Sequence, residues 1–427
     1  MSRSVQTPSK AFAFPNEWQP VRLGSIGKTY GGLTGKSGED FNTGSASYVT
    51  FMQVMGNSRL REPAKGTVNI NPGERQNHVQ KDDLLFNGSS ETPEEVALAA
   101  AVDFHPDSDT FLNSFCFGFR LLPDAPADSL FLAYLFRSSV GRNLVSSLAQ
   151  GATRYNISKI QLLNQAIHLP PKAEQIAIRE KLTDAEELIN SLERLISKKQ
   201  AIKQGMMQEL LTGRTRLPGF SASWFSSTWG ELALEISSGA TPRRGVAEYW
   251  NGEIPWVTST ELKRGPVDSI PQSITTAGLR AANLRVWPAG TFLMAITGLE
   301  AAGTRGKCGL LSVAAATNQS CMAVAPGPDL DTEFLFYYYL HYGNDLAFKY
   351  VQGTKQQSYT AAIVKKLPIH LPSDVSEQQA IAQVLRDADH EIAALERCLE
   401  SARNIKQGMM QELLSGRTRL PFEGESA

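Results

Sequence analysis

An internal repeat constrains this chain more than any other feature. The segment 202–218 reads IKQGMMQELLTGRTRLP and the segment 405–421 reads IKQGMMQELLSGRTRLP, so sixteen of seventeen positions agree. Weaker matches extend outward: IHLP at 167–170 recurs at 369–372, and Glu174-Gln175 recurs as Glu377-Gln378. The chain is therefore a duplication with an offset near 203 residues, in which a divergent domain precedes each near-identical segment.

Each near-identical segment ends a stretch with the apolar spacing of a coiled-coil seam. Apolar residues alternate at intervals of three and four, which is the spacing of a heptad repeat. They are Leu182, Ala185, Ile189, Leu192 and Ile196 in the first copy, and Leu385, Ala388, Ile392, Leu395, Leu399 and Ala402 in the second. We expect two long helices, one following Pro171 and ending near Gly213, the other running from about Ser376 to about Gly416. They are predicted to pair within the molecule as an antiparallel coiled coil; the alternative is two separate surface helices.

The two divergent regions contain short strand-like stretches separated by Gly and Pro, and each ends in a helix-like stretch. Examples of the strands are SYVTFMQV (47–54), DLLF (83–86) and TFLMAI (291–296), and the helices are expected at 129–150 and 332–352. The predicted fold is thus two mixed α/β domains with largely antiparallel sheets, joined by the two long helices and related by a pseudo-two-fold internal repeat.

Composition excludes several classes of protein. No run of 18 apolar residues is present, so no transmembrane helix is expected, and the first residues lack an apolar signal core. Four scattered cysteines without a CxxC pair fit reduced thiols in the cytoplasm and argue against a zinc site. The net charge of −1 counts mildly against duplex binding by the chain alone, since phosphate contacts need Lys and Arg.

No catalytic motif is complete. GGLTGKS at 31–37 resembles a phosphate-binding loop, but Tyr30 stands where the first glycine is needed. The six histidines have no metal-ligand spacing, and no methyltransferase or nuclease motif is present. We expect no catalytic residue and no metal site in this chain.

The candidate contacts to a DNA duplex are basic and amide side chains in the loops of the divergent domains, because Arg pairs with guanine and Asn or Gln with adenine. The best pair of loops is GATRYN (151–156) and GTKQQSY (353–359), which occupy matching positions. For any single Arg or Lys, a solvated surface role is the alternative. The predicted DNA-binding residues are Lys36, Arg59, Arg61, Lys65, Arg154, Tyr155, Asn156, Arg243, Arg244, Lys263, Arg264, Arg305, Lys307, Lys355, Gln356, Gln357 and Tyr359.

A Met-rich apolar group lies at the end of each long helix. Such groups often face another protein, and their near identity suggests that two copies of one partner bind here. The alternative is that they complete the coiled-coil core. The predicted partner-binding residues are Met206, Met207, Leu210, Met409, Met410 and Leu413.

Taken together, the sequence resembles the specificity subunits of type I restriction-modification systems. The resemblance covers the chain after its first residues and is carried by FPNEWQPVRLGSI and FSASWFSSTWGEL at the domain entries, and most specifically by KQGMMQELLTGRTRL. The second entry departs slightly, with Trp229-Gly230 in place of Leu23-Gly24.

The resemblance implies two target-recognition domains, each reading one half of an asymmetric bipartite DNA site, and helices that fix the spacer and bind two methyltransferase subunits. It implies motor-nuclease subunits for cleavage in phage defence, and leaves S-adenosylmethionine, ATP and Mg²⁺ to the partners. The boundaries are a lead-in at 1–14, target-recognition domains at 15–168 and 219–371, helical regions at 169–218 and 372–421, and a tail at 422–427. The alternatives are a non-DNA coiled-coil adaptor with two ligand-binding domains, and a phosphate-loop enzyme.

Overall fold

The computed structural model describes residues 14–151, 154–351 and 357–421. The chain divides into two compact units: the first runs to Glu193 and resumes at Cys398, and the second runs from Arg194 to Arg397. Each unit contains one mixed α/β domain, one part of the first long helix and one part of the second. The predicted fold class is confirmed by these two domains and two long helices.

The first unit contains twelve strands and five short α-helices within the described residues. The strands are β1 (Gln19–Arg22), β2 (Gly27–Gly31), β3 (Phe41–Val49), β4 (Arg59–Leu60), β5 (Gly66–Val68), β6 (Leu84–Asn87), β7 (Ser89–Ser90), β8 (Ala99–Val102), β9 (Thr110–Leu112), β10 (Cys116–Leu121), β11 (Tyr155–Asn156) and β12 (Ala166–Leu169). The helices are α1 (Leu23–Ile26), α2 (Phe51–Gly56), α3 (Ser129–Arg137), α4 (Ser139–Ser146) and α5 (Lys159–Leu163).

The first unit is organised around a five-stranded sheet of order β2-β10-β6-β8-β4. A three-stranded sheet of order β5-β3-β9 and the pairs β1-β12 and β7-β11 complete it. Phe86, Phe117 and Phe131 fill the main core between the large sheet and α3. The strand predicted at 47–54 is wrong beyond Val49, because Thr50 caps α2 by accepting the Gln53 N–H.

The second unit repeats this topology. The first long helix, α6 (Lys172–Leu210), and the second, α11 (Val375–Leu413), each contribute one part to each unit. The other elements of the second unit are β13 (Trp224–Thr228), α7 (Trp229–Leu232), β14 (Ala233–Ser238), β15 (Trp250–Val257), β16 (Gly265–Val267), β17 (Ser273–Ile274), α8 (Thr276–Ala281), β18 (Phe292–Ala295), β19 (Cys308–Leu311), β20 (Ala316–Thr317), β21 (Cys321–Pro326), α9 (Thr332–Tyr350), α10 (Ala361–Lys365) and β22 (Pro368–Pro372). The sheet order β14-β21-β18-β19-β16 matches that of the first unit strand for strand.

Within each unit, a part of α6 lies antiparallel to a part of α11. In the first unit Glu186 pairs with Lys406 at 2.6 Å, and Glu193 pairs with Arg403 at 2.5 Å. In the second unit Lys199 pairs with Glu391 at 2.6 Å, and Lys203 pairs with Asp389. As the residue number rises along one helix it falls along the other, so the predicted antiparallel direction is confirmed in both units.

An ion pair with a buried carboxylate anchors the start of each long helix. Glu174, near the start of α6, is completely buried and accepts two hydrogen bonds from Arg419, one of them at 2.8 Å. Glu377, near the start of α11, is equally buried and accepts from Arg216 at 2.5 and 2.6 Å. The carboxylates also lie at the positive end of their helix dipoles. These two clamps explain why the EQ and GRTR motifs recur in both halves.

None of the helices in the described ranges is both long and apolar enough to cross a membrane.

Candidate functional site

In both domains the loop after the first strand of the large sheet is attached to a neighbouring turn, which joins β9 to β10 in the first unit and β20 to β21 in the second. In the first unit the Leu33 N–H donates to the Leu112 carbonyl at 2.8 Å, and in the second the Ala240 N–H donates to the Thr317 carbonyl at 3.1 Å. A Cβ on Gly32 would lie 2.0 Å from the Asn113 carbonyl oxygen, so this close approach requires glycine. The duplication thus preserves a rigid junction of two loops.

These turns, which link strands of two different sheets, are also alike in both domains. The Asn113 side-chain oxygen accepts the Phe115 N–H at 2.9 Å, and the Asn318 side-chain oxygen accepts the Ser320 N–H at 2.9 Å. Such a turn, closed by an asparagine side chain, fixes the backbone at the tip. The domains therefore present different side chains, Phe and Ser, on one shared backbone shape.

The segment from Arg154 to Lys159 meets the turn between β9 and β10. The strand β11 pairs with β7, and the Arg154 guanidinium lies 5.3 Å from the centre of the exposed Phe115 ring. The Lys159 ammonium lies 5.8 Å from the Phe117 ring. Arg154 and Asn156 are exposed, and Tyr155 is half-buried. The predicted DNA-binding residues Arg154, Tyr155 and Asn156 thus share one surface with Phe115. Phe115 itself was not predicted from the sequence.

In the second domain the loop after β14 carries Arg243 and Arg244, both exposed. Arg244 lies over the Trp250 ring at 4.1 Å and donates to the Gln272 side-chain oxygen at 2.8 Å. The Trp250 indole N–H donates to the Arg243 carbonyl at 3.2 Å. Trp250 and Gln272 were not predicted as site residues. The signal that could have indicated Trp250 was an aromatic residue a few positions after the pair Arg243-Arg244.

Residues from the matching loop of the second domain are only partly described. Lys355 and Gln356 lie outside the described residues. The Gln357 N–H donates to a Glu300 carboxylate oxygen at 3.1 Å. Tyr359 is 2% exposed within the core, and this burial raises its pKa above the ordinary value. The structure therefore gives the Tyr359 side chain a packing position with no surface to offer DNA.

Three other predicted residues of the first domain are held by carboxylates. Arg59 pairs with Asp103 at 2.6 Å, and Arg61 pairs with Glu187 of α6 at 2.7 Å, so both join the domain to elements of its own unit. Lys36 is 3% exposed at its side chain and pairs with Glu74 at 2.5 Å. The hydrogen bond from Lys36 lowers the pKa of Glu74 to about 2. Because Lys36 is neutralised in this way, the loop at 31–37 offers no free lysine for a phosphate.

The remaining basic residues differ in what their side chains bind. Lys65 forms an exposed pair with Glu62 at 2.8 Å. Arg305 donates to the Leu299 and Glu300 carbonyls at 2.8 and 2.9 Å, while Arg264 donates to the Arg305 carbonyl at 2.8 Å. Lys263 is exposed and Lys307 is half-buried. DNA binding by these residues stays a prediction, but the guanidinium groups of Arg264 and Arg305 already donate to backbone carbonyls of their own domain.

The Met-rich groups lie in the hydrophobic cores. Met207 and Leu210 are buried in the core of the second unit, and Met410 and Leu413 are buried in that of the first. Met206 and Met409 are partly buried against the same cores. The structure therefore corrects the predicted role of the four buried residues: they complete the cores, because their side chains leave almost no surface for a partner.

Within the described ranges, no group of three His, Cys, Asp or Glu side chains could hold a metal ion. All four cysteines are unpaired, and burial raises the pKa of the Cys116 thiol to about 12. A thiol so resistant to ionisation is a poor nucleophile at neutral pH.

Comparison with known proteins gives one consistent family. The family model described as type I restriction modification DNA specificity domain matches residues 15–204 and 223–401. The MjaIX specificity subunit of a type I restriction enzyme from Methanocaldococcus jannaschii is 28% identical over 158 residues, which is 35% of this chain and 34% of that protein. The match thus spans about a third of that relative's length. The putative MjaX specificity subunit from the same organism is 22% identical over 431 residues and 95% of each chain.

The fold is shared with a solved structure of similar length. The crystal structure of a type I restriction-modification S subunit from M. genitalium superposes with a TM-score of 0.57 at 15% identity, covering 96% of this chain and 99% of that one. At this identity the likeness concerns the fold.

Proposed function

The chain belongs to the type I restriction-modification DNA specificity family, and we propose that its two domains each read one half of an asymmetric bipartite site in double-stranded DNA. One observation carries this proposal: the same junction of loop and turn occurs in both domains but presents different side chains. Arg154 and Phe115 stand at the first junction, and Arg243 and Arg244 at the second. Arginine is the side chain best suited to read guanine in the major groove. Different DNA-contacting side chains on the same backbone scaffold favour two half-sites of different sequence.

We propose that the two long helices set the spacer between the half-sites. Each contains 39 residues, which corresponds to a length of about 58 Å. This is less than two duplex turns of about 34 Å each. Holding two short readouts at a fixed spacing raises the effective concentration of the second once the first has bound.

The helices are also the proposed binding surface for two methyltransferase subunits. With Met207, Leu210, Met410 and Leu413 buried, the exposed faces of the repeated segments become the candidates. Ile202 and Ile405 begin the two segments and are both exposed. Two nearly identical surfaces in one chain fit two copies of one partner.

The chemistry is proposed to reside in the partners. The methyltransferase subunits would bind S-adenosylmethionine, and motor-nuclease subunits, where present, would use ATP and Mg²⁺. This chain would then act in the cytoplasm as a non-catalytic subunit of a phage-defence complex. Its four unpaired cysteines fit a reducing compartment.

The test is to co-express the chain with its cognate methyltransferase and to map methylated bases by single-molecule sequencing. We expect one bipartite motif that depends on this chain, and an exchange of residues 25–165 for those of a relative should change only one half of it. Gel shifts of the purified complex should weaken as salt rises, because phosphate contacts release counterions. Absence of a motif, or a change in both halves after the exchange, would refute the proposal.

A further inference from the structure

Phe115 is an exposed aromatic residue at the centre of the first loop junction. We propose that its ring contacts the C5-methyl group of a thymine in the half-site read by the first domain. This inference rests on the proposed DNA-reading function and adds a base and a group to it. The evidence for it is the exposure of the ring, the rigidity of the turn that carries it, and the neighbouring side chains of Arg154 and Asn156.

The exposure of Phe115 contrasts with the strand that follows. Cys116, Phe117 and Phe119 are buried in β10, whereas Phe115 is 56% exposed at the end of that strand. Isolated apolar residues on a surface are ordinary, so exposure alone carries little weight. Here, however, the ring stands beside Arg154 and Asn156, on the surface proposed to face DNA.

The backbone that carries Phe115 is fixed on both sides. Its N–H donates to the Asn113 side chain at 2.9 Å, and its carbonyl accepts the Gly88 N–H at 2.7 Å. The Cys116 N–H donates to the Asn113 carbonyl at 2.9 Å. Because the backbone at Phe115 is already ordered, little conformational entropy is lost there when the ring binds a ligand. This preorganisation favours a specific contact.

The chemistry of the major groove points to thymine. The C5-methyl of thymine is the apolar group on the major-groove edge of the four base pairs, and phenylalanine is one of the side chains that contact it. The neighbouring Arg154 offers a fork for guanine O6 and N7. The pair therefore fits a thymine that lies close to a guanine, and its counterpart Ser320 in the second domain lacks the apolar surface for such a contact.

The experiment removes the methyl group and the ring separately. Once the motif is known, each thymine of the first half-site is replaced by uracil, which lacks only the methyl, and binding by the purified complex is measured. For one thymine we expect about fourfold weaker binding, the loss that corresponds to one buried methyl group. Phe115→Ser should weaken binding of the thymine duplex and should abolish the difference between thymine and uracil.

Folding and position are controlled by matched variants. Phe115→Ser should fold, because the same turn already carries serine at position 320. Leu122→Ser removes a partly exposed apolar side chain beyond the opposite end of β10 and should keep the full sensitivity to uracil.

The outcomes separate the two proposals. A complex without any sequence-specific motif would refute the proposed function and this contact with it. A clear motif whose first half-site contains no thymine would refute the thymine contact alone. So would uracil sensitivity that persists undiminished in Phe115→Ser.

Discussion

The two target-recognition domains have the same strand order but differ in the charge that the loop after the first strand exposes. In the first domain Lys36 is buried against Glu74, so the loop is closed by an internal ion pair. In the second, Arg243 is exposed, and within the described residues its side chain forms no ion pair. The backbone attachment of the loop is shared, whereas its charge is not. The duplication has therefore preserved the contacts that build the scaffold and left the outward side chains free to diverge.

A matching helix position inside the two domains also differs between them: it holds Arg137 in the first and Leu340 in the second. In the first domain the Arg137 guanidinium is buried and donates to the carbonyls of Val54 and Asn57 at the end of α2, both at 2.6 Å. Burial lowers the pKa of Arg137 to about 10. The second domain forms no helix at the position of α2, and Leu340 stands in the place of Arg137. The arginine is thus present where the carbonyls at the end of α2 accept hydrogen bonds, and it is replaced by leucine where that helix is missing.

The largest predicted effect tests the shared scaffold. Arg419→Met would leave the buried Glu174 carboxylate without its partly exposed cation, and we expect a loss of about 1–3 kcal/mol in the free energy of unfolding. Arg216→Met should destabilise the second unit in the same direction, through the carboxylate of Glu377. Denaturant unfolding measures the loss, and hydrogen exchange should show faster opening only in the unit that carries the substitution.

The control for the clamps is Arg417→Met. Arg417 pairs with Glu412 at 3.1 Å, and both side chains are largely exposed, so the expected change is within about 0.5 kcal/mol. If one clamp variant behaved like this control while the other unfolded its unit, the two units would not share one scaffold.

The sequence predicted the long helices and their antiparallel direction because heptad spacing is a local signal. It could not identify the clamps, since Glu174 and Arg419 lie 245 residues apart and only the fold brings them together. It assigned Met207 and Met410 to partner binding instead of to the cores, because an apolar stripe in a sequence does not indicate whether the same chain or another protein covers it. Phe115 escaped notice because SFCFGF has the pattern of an interior strand, although the change to Ser320 in the second copy was visible.

The next effect tests the difference in loop charge. Arg243→Ala should reduce the slope of log K against log salt for DNA binding by about one, the value expected for one lost phosphate contact. Lys36→Met should leave that slope unchanged, because Glu74 already neutralises Lys36. Binding of the complex to its motif, titrated at four or more salt concentrations, measures both slopes. Equal slopes for the two variants would show that the contrast in loop charge has no role in DNA binding.

The smallest predicted effect concerns the ion pair that closes the first loop. The pKa of Glu74 is lowered from 4.5 to about 2, chiefly by its hydrogen bond from Lys36. Because the folded pKa lies below the unfolded one, the stabilisation by this carboxylate is complete above about pH 4.5 and is lost as the pH falls towards 2. The stability difference between the wild type and Glu74→Gln should therefore shrink over this range, as followed by urea midpoints at successive pH values. Glu62→Gln, which breaks the exposed pair with Lys65, should show a weaker dependence. A Glu74→Gln difference that stayed constant down to pH 2 would mean that Lys36 is held by something other than the carboxylate charge, and the contrast between the two loops would then have to rest on shape.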